Sequence, residues 1–247
     1  MRGIRGDVMN EFLSLLMLLF NFFAIMVVFR KWGRLGLYIW MPICIIIANI
    51  QVTKTVELFW LEATLGNVVF TGGALVTDLL NECYGAKHAR RAVGIGFAAL
   101  IALTVFMQIA LWFEPAPSDF SNEALQTIFG FMPRIALSSL VAYLISNLSD
   151  IWIFSAVKKR FPGTRTLWLR KNLSTFISQF IDSFIFTFGA FYGVYEPSVL
   201  WQILLTTCLF KWVVATLDVP FIYLGRRWMD KGVIAKADQE AGSAATA

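Results

Sequence analysis

The 247-residue chain is 58% apolar and 15% aromatic by residue count, with a mean hydropathy of +0.68. That exceeds what a soluble domain of this size can bury, so the sequence reads as a membrane protein. Its net charge of +5 then reports topology and contact with anionic lipid, and points away from nucleic acid.

A spanning helix needs about 20 predominantly apolar residues, and that ruler predicts an all-α polytopic membrane protein with about seven transmembrane helices. The first span, 9–30, has no ionisable residue between Phe12 and Phe29 and only Ser14 and Asn21 as polar side chains. It reads as a packing element or lipid-facing anchor, and a chain starting near Lys31 is expected to keep substrate binding at lower yield. No small-residue cleavage site ends it, and a basic cluster follows, so it is expected to be an anchor rather than a signal peptide. The second and third spans, 36–54 and 64–82, flank "QVTKTVELFWLEATLGN", whose mixture of charged and apolar residues reads as partly interfacial. The remaining spans are 92–113, 131–157, 172–194 and 199–225. The terminal "AKADQEAGSAATA" is small and polar, the composition of a disordered tail.

Basic residues are retained on the cytoplasmic side of short loops. Most of the 21 Lys and Arg lie in alternate connections: Arg30, Lys31 and Arg34; Lys87, Arg90 and Arg91; the segment "KKRFPGTRTLWLRK"; and Arg226, Arg227, Lys231 and Lys236. The opposite connections hold Glu57, Glu62, Glu114, Asp119, Glu123 and Glu196. With seven spans, this asymmetry puts the N-terminus outside and the C-terminus in the cytoplasm.

Two segments in the fifth and sixth spans repeat one another. "ISNLSDIWIF" (145–154) and "ISQFIDSFIF" (177–186) align Ser146 with Ser178, Asn147 with Gln179 and Asp150 with Asp182. The two spans run in opposite directions, so the copies are presented antiparallel, with amide and carboxylate three residues apart on one helix face. A carboxylate near the bilayer centre costs roughly 2.5–3.5 kcal/mol on insertion scales, and such residues are retained where they have work to do. Asp78 and Glu82, with Asn81 between them, add a polar stripe on the third span. Lys211 and Asp218 stand in the seventh. The candidate substrate-binding or coupling set is Asn49, Asp78, Asn81, Glu82, Asn147, Asp150, Gln179, Asp182 and Lys211. The competing reading of the acids is an interhelical ion pair, and of the amides ordinary hydrogen-bond glue between membrane helices. Glu82 reads equally well as a solvated helix end or a salt bridge to "KHARR", and His88 as a solvated loop residue.

Carboxylates, amides and aromatic faces in one cavity suit a planar heterocycle with ring N–H and amino donors. No nucleophile motif, metal-ligand spacing or His cluster is present, so no catalytic residue, metal or cofactor is expected. The cysteines Cys44, Cys83 and Cys208 lack CxxC spacing, which argues against structural disulfides and zinc. An integral membrane enzyme acting on lipids is the alternative of another class, with "TDLLNECYG" as its catalytic edge. No G-x-x-x-x-G-K-[ST] loop occurs, so the chain does not hydrolyse ATP by that route. Facilitated diffusion, proton coupling and a separate energising module stay open, as does a homo-oligomer.

The segments "TDLLNECYGAKHARRAVGIGF", "ISNLSDIWIF", "ISQFIDSFIFTFGAFYG" and "FKWVVATLDVPFIY" resemble the queuosine-precursor transporters, also classed as vitamin uptake transporters. The resemblance spans about residues 45–227. It implies a six-helix core similar to the substrate-binding subunits of vitamin importers, and import across the cell membrane of 7-deazaguanines such as preQ0 and preQ1 for tRNA modification. Another small vitamin-like heterocycle is the alternative substrate. Asn49 and Lys54 in "ANIQVTK" look like the family's first-core-helix Asn and Lys, and Tyr84 joins the polar positions listed above. Helix one is an addition to that core, and "TGGALVTD" lacks the Phe-Pro that often precedes the family's Asp. The expected organisation is an N-terminal helix and basic loop (1–34), a six-helix transport core (35–228) and a disordered cytoplasmic tail (229–247).

Overall fold

The structure, a computed structural model, describes residues 2–160, 167–234 and 238. Its elements are α1 (Arg2–Gln51), β1 (Thr55–Leu58), β2 (Leu61–Thr64), α2 (Gly66–Tyr84), α3 (Ala86–Leu111), α4 (Asn122–Phe129), α5 (Met132–Arg160), α6 (Leu167–Phe191), α7 (Pro197–Leu217) and α8 (Val219–Asp230). Among the described residues, four helical stretches are long and apolar enough to cross a membrane: 9–51, 86–111, 122–150 and 197–230. The polytopic, mainly helical architecture read from composition is the one found.

The first two expected spans are the two arms of α1. Asn21 accepts a hydrogen bond from the Trp40 indole at 3.0 Å although the two are 19 residues apart. A straight helix would separate them by about 28 Å. The chain therefore doubles back, and it does so at Gly33, whose φ of 54° and ψ of −134° suit a residue without Cβ. Asp238 sits at this reversal. Its carboxylate accepts the Arg34 backbone N–H at 2.8 Å, capping the second arm, and the Tyr84 hydroxyl at 2.7 Å. Ile234 is fully buried. The tail expected to be disordered from 229 therefore has fixed structure over 229–234 and at Asp238; the rest of it lies outside the described residues, as does 161–166 of the basic α5–α6 connection.

The first arm packs into the centre of the protein. Phe22, Ile25 and Phe29 are completely buried, Phe22 meets Phe221 edge to face at 5.1 Å, and Phe29 meets Tyr84 at 6.5 Å. Small residues permit the approach: a Cβ on Gly72 would overlap the Asn21 amide, and one on Gly225 would crowd Phe29 and Leu79. Asn21 also donates to the Val69 carbonyl at 3.2 Å. Of the two readings offered for this helix, packing element describes its inner face, while Phe12, Phe20 and Phe23 on the outer face are exposed.

The mixed segment between the second and third expected spans is a two-stranded antiparallel hairpin, pairing Thr55 with Thr64 and Leu58 with Leu61. An all-α expectation had no place for it. Leu58, Ala63 and Thr64 are buried, and α7 holds the hairpin: the Gln202 side chain accepts the Glu62 N–H at 3.1 Å and Thr206 donates to the Glu62 carbonyl at 3.2 Å. Phe59 and Trp60 form the turn with φ of 51° and 61°, left-handed values that Asn and Gly usually supply. Two further differences concern ends. The expected span 199–225 is two helices, divided at Asp218 with Pro220 in the first turn of α8. The short α4 follows Asp119, whose carboxylate accepts the backbone N–H and hydroxyl of Ser121 and the Asn122 N–H, which hold it below the usual carboxylate range.

Candidate binding cavity

The repeated segments face each other across the α5–α6 seam and exchange partners. The Ser146 hydroxyl of the first copy donates to Asp182 Oδ1 of the second at 3.2 Å, and the Ser178 hydroxyl of the second donates to Asp150 Oδ1 of the first at 3.3 Å. Antiparallel helices carrying the same Ser-x-x-x-Asp spacing, aligned so that one pair meets, must bring the other pair together one turn away. The repeat thus has a structural consequence in reciprocal hydroxyl–carboxylate bonds. Its amides do not take part: Asn147 donates to the Tyr143 carbonyl of its own helix at 2.7 Å and is exposed, and the Gln179 side chain does not line the cavity described next.

The two carboxylates differ in surroundings. Asp182 Oδ2 receives Lys211 Nζ of α7 at 2.5 Å, with only 21% and 14% of the two side chains exposed. Lys211 also donates to the Ser183 hydroxyl at 3.0 Å and lies 5.7 Å from the centre of the Phe70 ring. A lysine this enclosed needs its anion, and with one Asp182 oxygen on Lys211 and the other on Ser146 both are engaged. Asp150 lies about one turn nearer the α5–α6 connection and outside the cavity lining.

Around Asp182 and Lys211 the second arm of α1, with α2, α3, α5, α6 and α7, encloses a cavity of about 60 Å³. Its polar lining is Asn49, Asn67, Ser139 and Thr207 with the ion pair, and its walls include Phe70, Phe97, Tyr143 and Phe186. The polar groups are tied in pairs. Ser139 donates to Asn49 Oδ1 at 3.0 Å while the Asn49 amide donates to the Ile45 carbonyl at 2.8 Å, and Asn67 donates to Thr207 Oγ1 at 2.8 Å. Phe97 and Tyr143 lie 5.1 Å apart on one wall. The arrangement offers an anion, a cation, amide and hydroxyl groups that both donate and accept, and flat aromatic faces.

Of the nine candidate residues, the structure gathers Asn49, Asp182 and Lys211 at this cavity. Asp150 lies outside the lining and accepts the Ser178 hydroxyl. Asp78, Asn81 and Glu82 lie at the far end of α2 and are exposed. Glu82 pairs with Arg226 of α8 at 3.2 Å; a salt bridge to "KHARR" was one of the readings offered for it. His88 is half-buried and shares a 2.5 Å hydrogen bond with Tyr38, which corrects its reading as a solvated loop residue. Asn67, Ser139 and Thr207 were missed. Asn67 was the legible one of the three, being a buried amide just inside a span, whereas hydroxyls commonly bond their own helix.

The family description "Putative vitamin uptake transporter" matches residues 64–225, the part of the chain that includes α2, α3, α5, α6 and α7 of the cavity. The "Probable queuosine precursor transporter" of Bacillus subtilis (strain 168) is 45% identical over 207 residues, covering 84% of this chain and 90% of that protein. A second relative of the same name, from Haemophilus influenzae, is 29% identical over 56% of each chain. The "Queuosine precursor transporter" of Escherichia coli (strain K12) is 28% identical over 59% of this chain and 62% of its own. No solved structure matches the chain. The protein is a multi-pass membrane transporter and not an enzyme, and it belongs to the vitamin uptake transporter family.

Proposed function

We propose that the chain imports queuosine precursors of the 7-deazaguanine class, such as preQ0 and preQ1, across the cell membrane. The observation that carries this reading is the Asp182–Lys211 pair in an aromatic-walled cavity that hydrogen-bonded amides and hydroxyls also line. A deazaguanine presents adjacent N–H donors that a carboxylate accepts side by side, a carbonyl that an amide or hydroxyl meets, and a flat ring that stacks. Both Asp182 oxygens are engaged, one by Lys211 and one by Ser146, so the ion pair must open before a ligand can use them. Lys211, on a flexible stem, is the group that can swing from Asp182 and leave its oxygens to the ligand. Uptake of labelled 7-deazaguanine by cells that cannot make it, with and without the gene, tests the proposal. Saturable uptake only in its presence is expected, and equal uptake in both would sink the reading.

The orientation is proposed from the basic connections: the hairpin and the N-terminus face outward, and the α2–α3 turn and α8 face the cytoplasm. A reporter active only in the cytoplasm is expected to be active when fused after Ala247 and silent when placed before Met9. Activity at both ends would remove the orientation.

A further inference from the structure

We infer that the groove between the first arm of α1 and the hairpin binds an anionic glycerophospholipid from the leaflet on the hairpin side. The groove has a volume of about 550 Å³. One wall is the helical stripe Leu13, Leu16, Met17 and Phe20, and the other is Val56 and Leu65. Leu13, Leu16 and Phe20 are 50%, 53% and 68% exposed, so the groove opens to the membrane. From Asn10 to Phe20 a helix rises about 15 Å, half the ~30 Å hydrocarbon thickness. An apolar gap of that length beside lipid is filled by acyl chain, because water in it would find no polar partners.

The polar groups that line the groove are Asn10, Ser14 and Lys54. Lys54 is exposed, and the ion pairs among the described residues do not include it. Lys54, just before β1, and Val56 within it both line the groove, and side chains alternate along the strand. Glu57 and Glu62, opposite each other in the hairpin register, belong to the other face. Those two carboxylates are thereby turned from Lys54, which stands exposed beside the groove. Asn10 ties the two walls together by donating to the Glu57 carbonyl at 3.2 Å. A second copy of the chain seated here would bury Lys54 against an apolar surface, whereas a lipid phosphate meets it in the interface and its chain follows the stripe below.

The test uses the full chain, purified in detergent and titrated with dioleoyl-phosphatidylglycerol or dioleoyl-phosphatidylcholine, with lipid retention read by native mass spectrometry. One phosphatidylglycerol per chain is expected, held about fivefold better than phosphatidylcholine, the effect of one basic residue at an anionic lipid surface. Lys54→Gln should abolish that preference while leaving the weaker retention of both lipids. Leu16→Trp, which fills the exposed groove without touching the core, should lower retention of both, and Val27→Trp, elsewhere on the exposed face of the same helix, should lower neither. Equal retention of the two lipids by the parent chain, or a preference unchanged by Lys54→Gln, overturns the site. Chains that stay paired and retain no lipid would give the groove to a second copy and overturn it equally.

Discussion

Asp182→Asn will lower the affinity for a 7-deazaguanine by about ten- to a hundredfold. The substitution keeps the side-chain volume but replaces two charged acceptor oxygens with one neutral acceptor and a donor. A charge-assisted pair is worth roughly 1.5–3 kcal/mol, and each 1.4 kcal/mol is about a factor of ten. The same change strands Lys211, whose side chain is 14% exposed, and breaking an enclosed pair by removing one partner destabilises more than removing both. The double variant Asp182→Asn with Lys211→Gln separates these effects. It should regain the melting temperature and membrane yield lost in the single variant but not the affinity. If the double variant regains affinity too, Asp182 serves the fold and not the ligand. Asp150→Asn should have a smaller effect on binding, since Asp150 lies beyond the cavity and bonds Ser178. Glu123→Gln, on the exposed α4, should leave binding unchanged.

Much of this arrangement was legible because the bilayer is a severe filter. An ionisable side chain within an apolar run is a rare and costly event, and that rule alone picked out Asp182 and Lys211. It also picked out Asp78 and Glu82, which the structure leaves exposed at the far end of α2 and away from the cavity. Pairings between distant parts of the chain were beyond reach. Asn67 meets Thr207 across 140 residues and Asn49 meets Ser139 across 90, distances that only helix packing resolves. The hairpin escaped for a local reason. "TVEL" and "LEAT" do alternate, but the turn between them is Phe59-Trp60, and neither residue carries the Asn-Gly signal that marks a two-residue turn. The reversal at Gly33 showed only as a basic break between two apolar runs. Nothing nearby in sequence announces Asp238, 204 residues away from Arg34, as its cap.

A chain beginning at Lys31 is expected to accumulate at a small fraction of the parental level and to melt well below it, while its folded fraction binds substrate with parental affinity. The two halves of this expectation rest on separate observations. The cavity lining begins at Ile45, so the first arm of α1 contributes no group to it. The core, by contrast, loses the fully buried Phe22, Ile25 and Phe29. In soluble cores, a single Phe→Ala change costs about 3–5 kcal/mol. Lipid will cover part of the uncovered surface, so the loss here is one of fitted packing rather than of exclusion from water. The fit is specific: Gly72 and Gly225 are open on the sides where Asn21 and Phe29 enter, and lipid chains do not reproduce those shapes. The Trp40 indole also loses its acceptor on Asn21. The point variant Asn21→Leu removes that bond together with the one to the Val69 carbonyl, a loss of about 1–3 kcal/mol, on the order of 5 °C in melting temperature, again without a change in affinity. Supplying residues 1–32 as a separate chain should restore part of the yield of the truncated protein, because the first arm then docks without the Gly33 turn. A truncated chain with parental yield and melting temperature would show that the first arm is dispensable to the core. Parental stability with binding lost would place part of the site on the first arm.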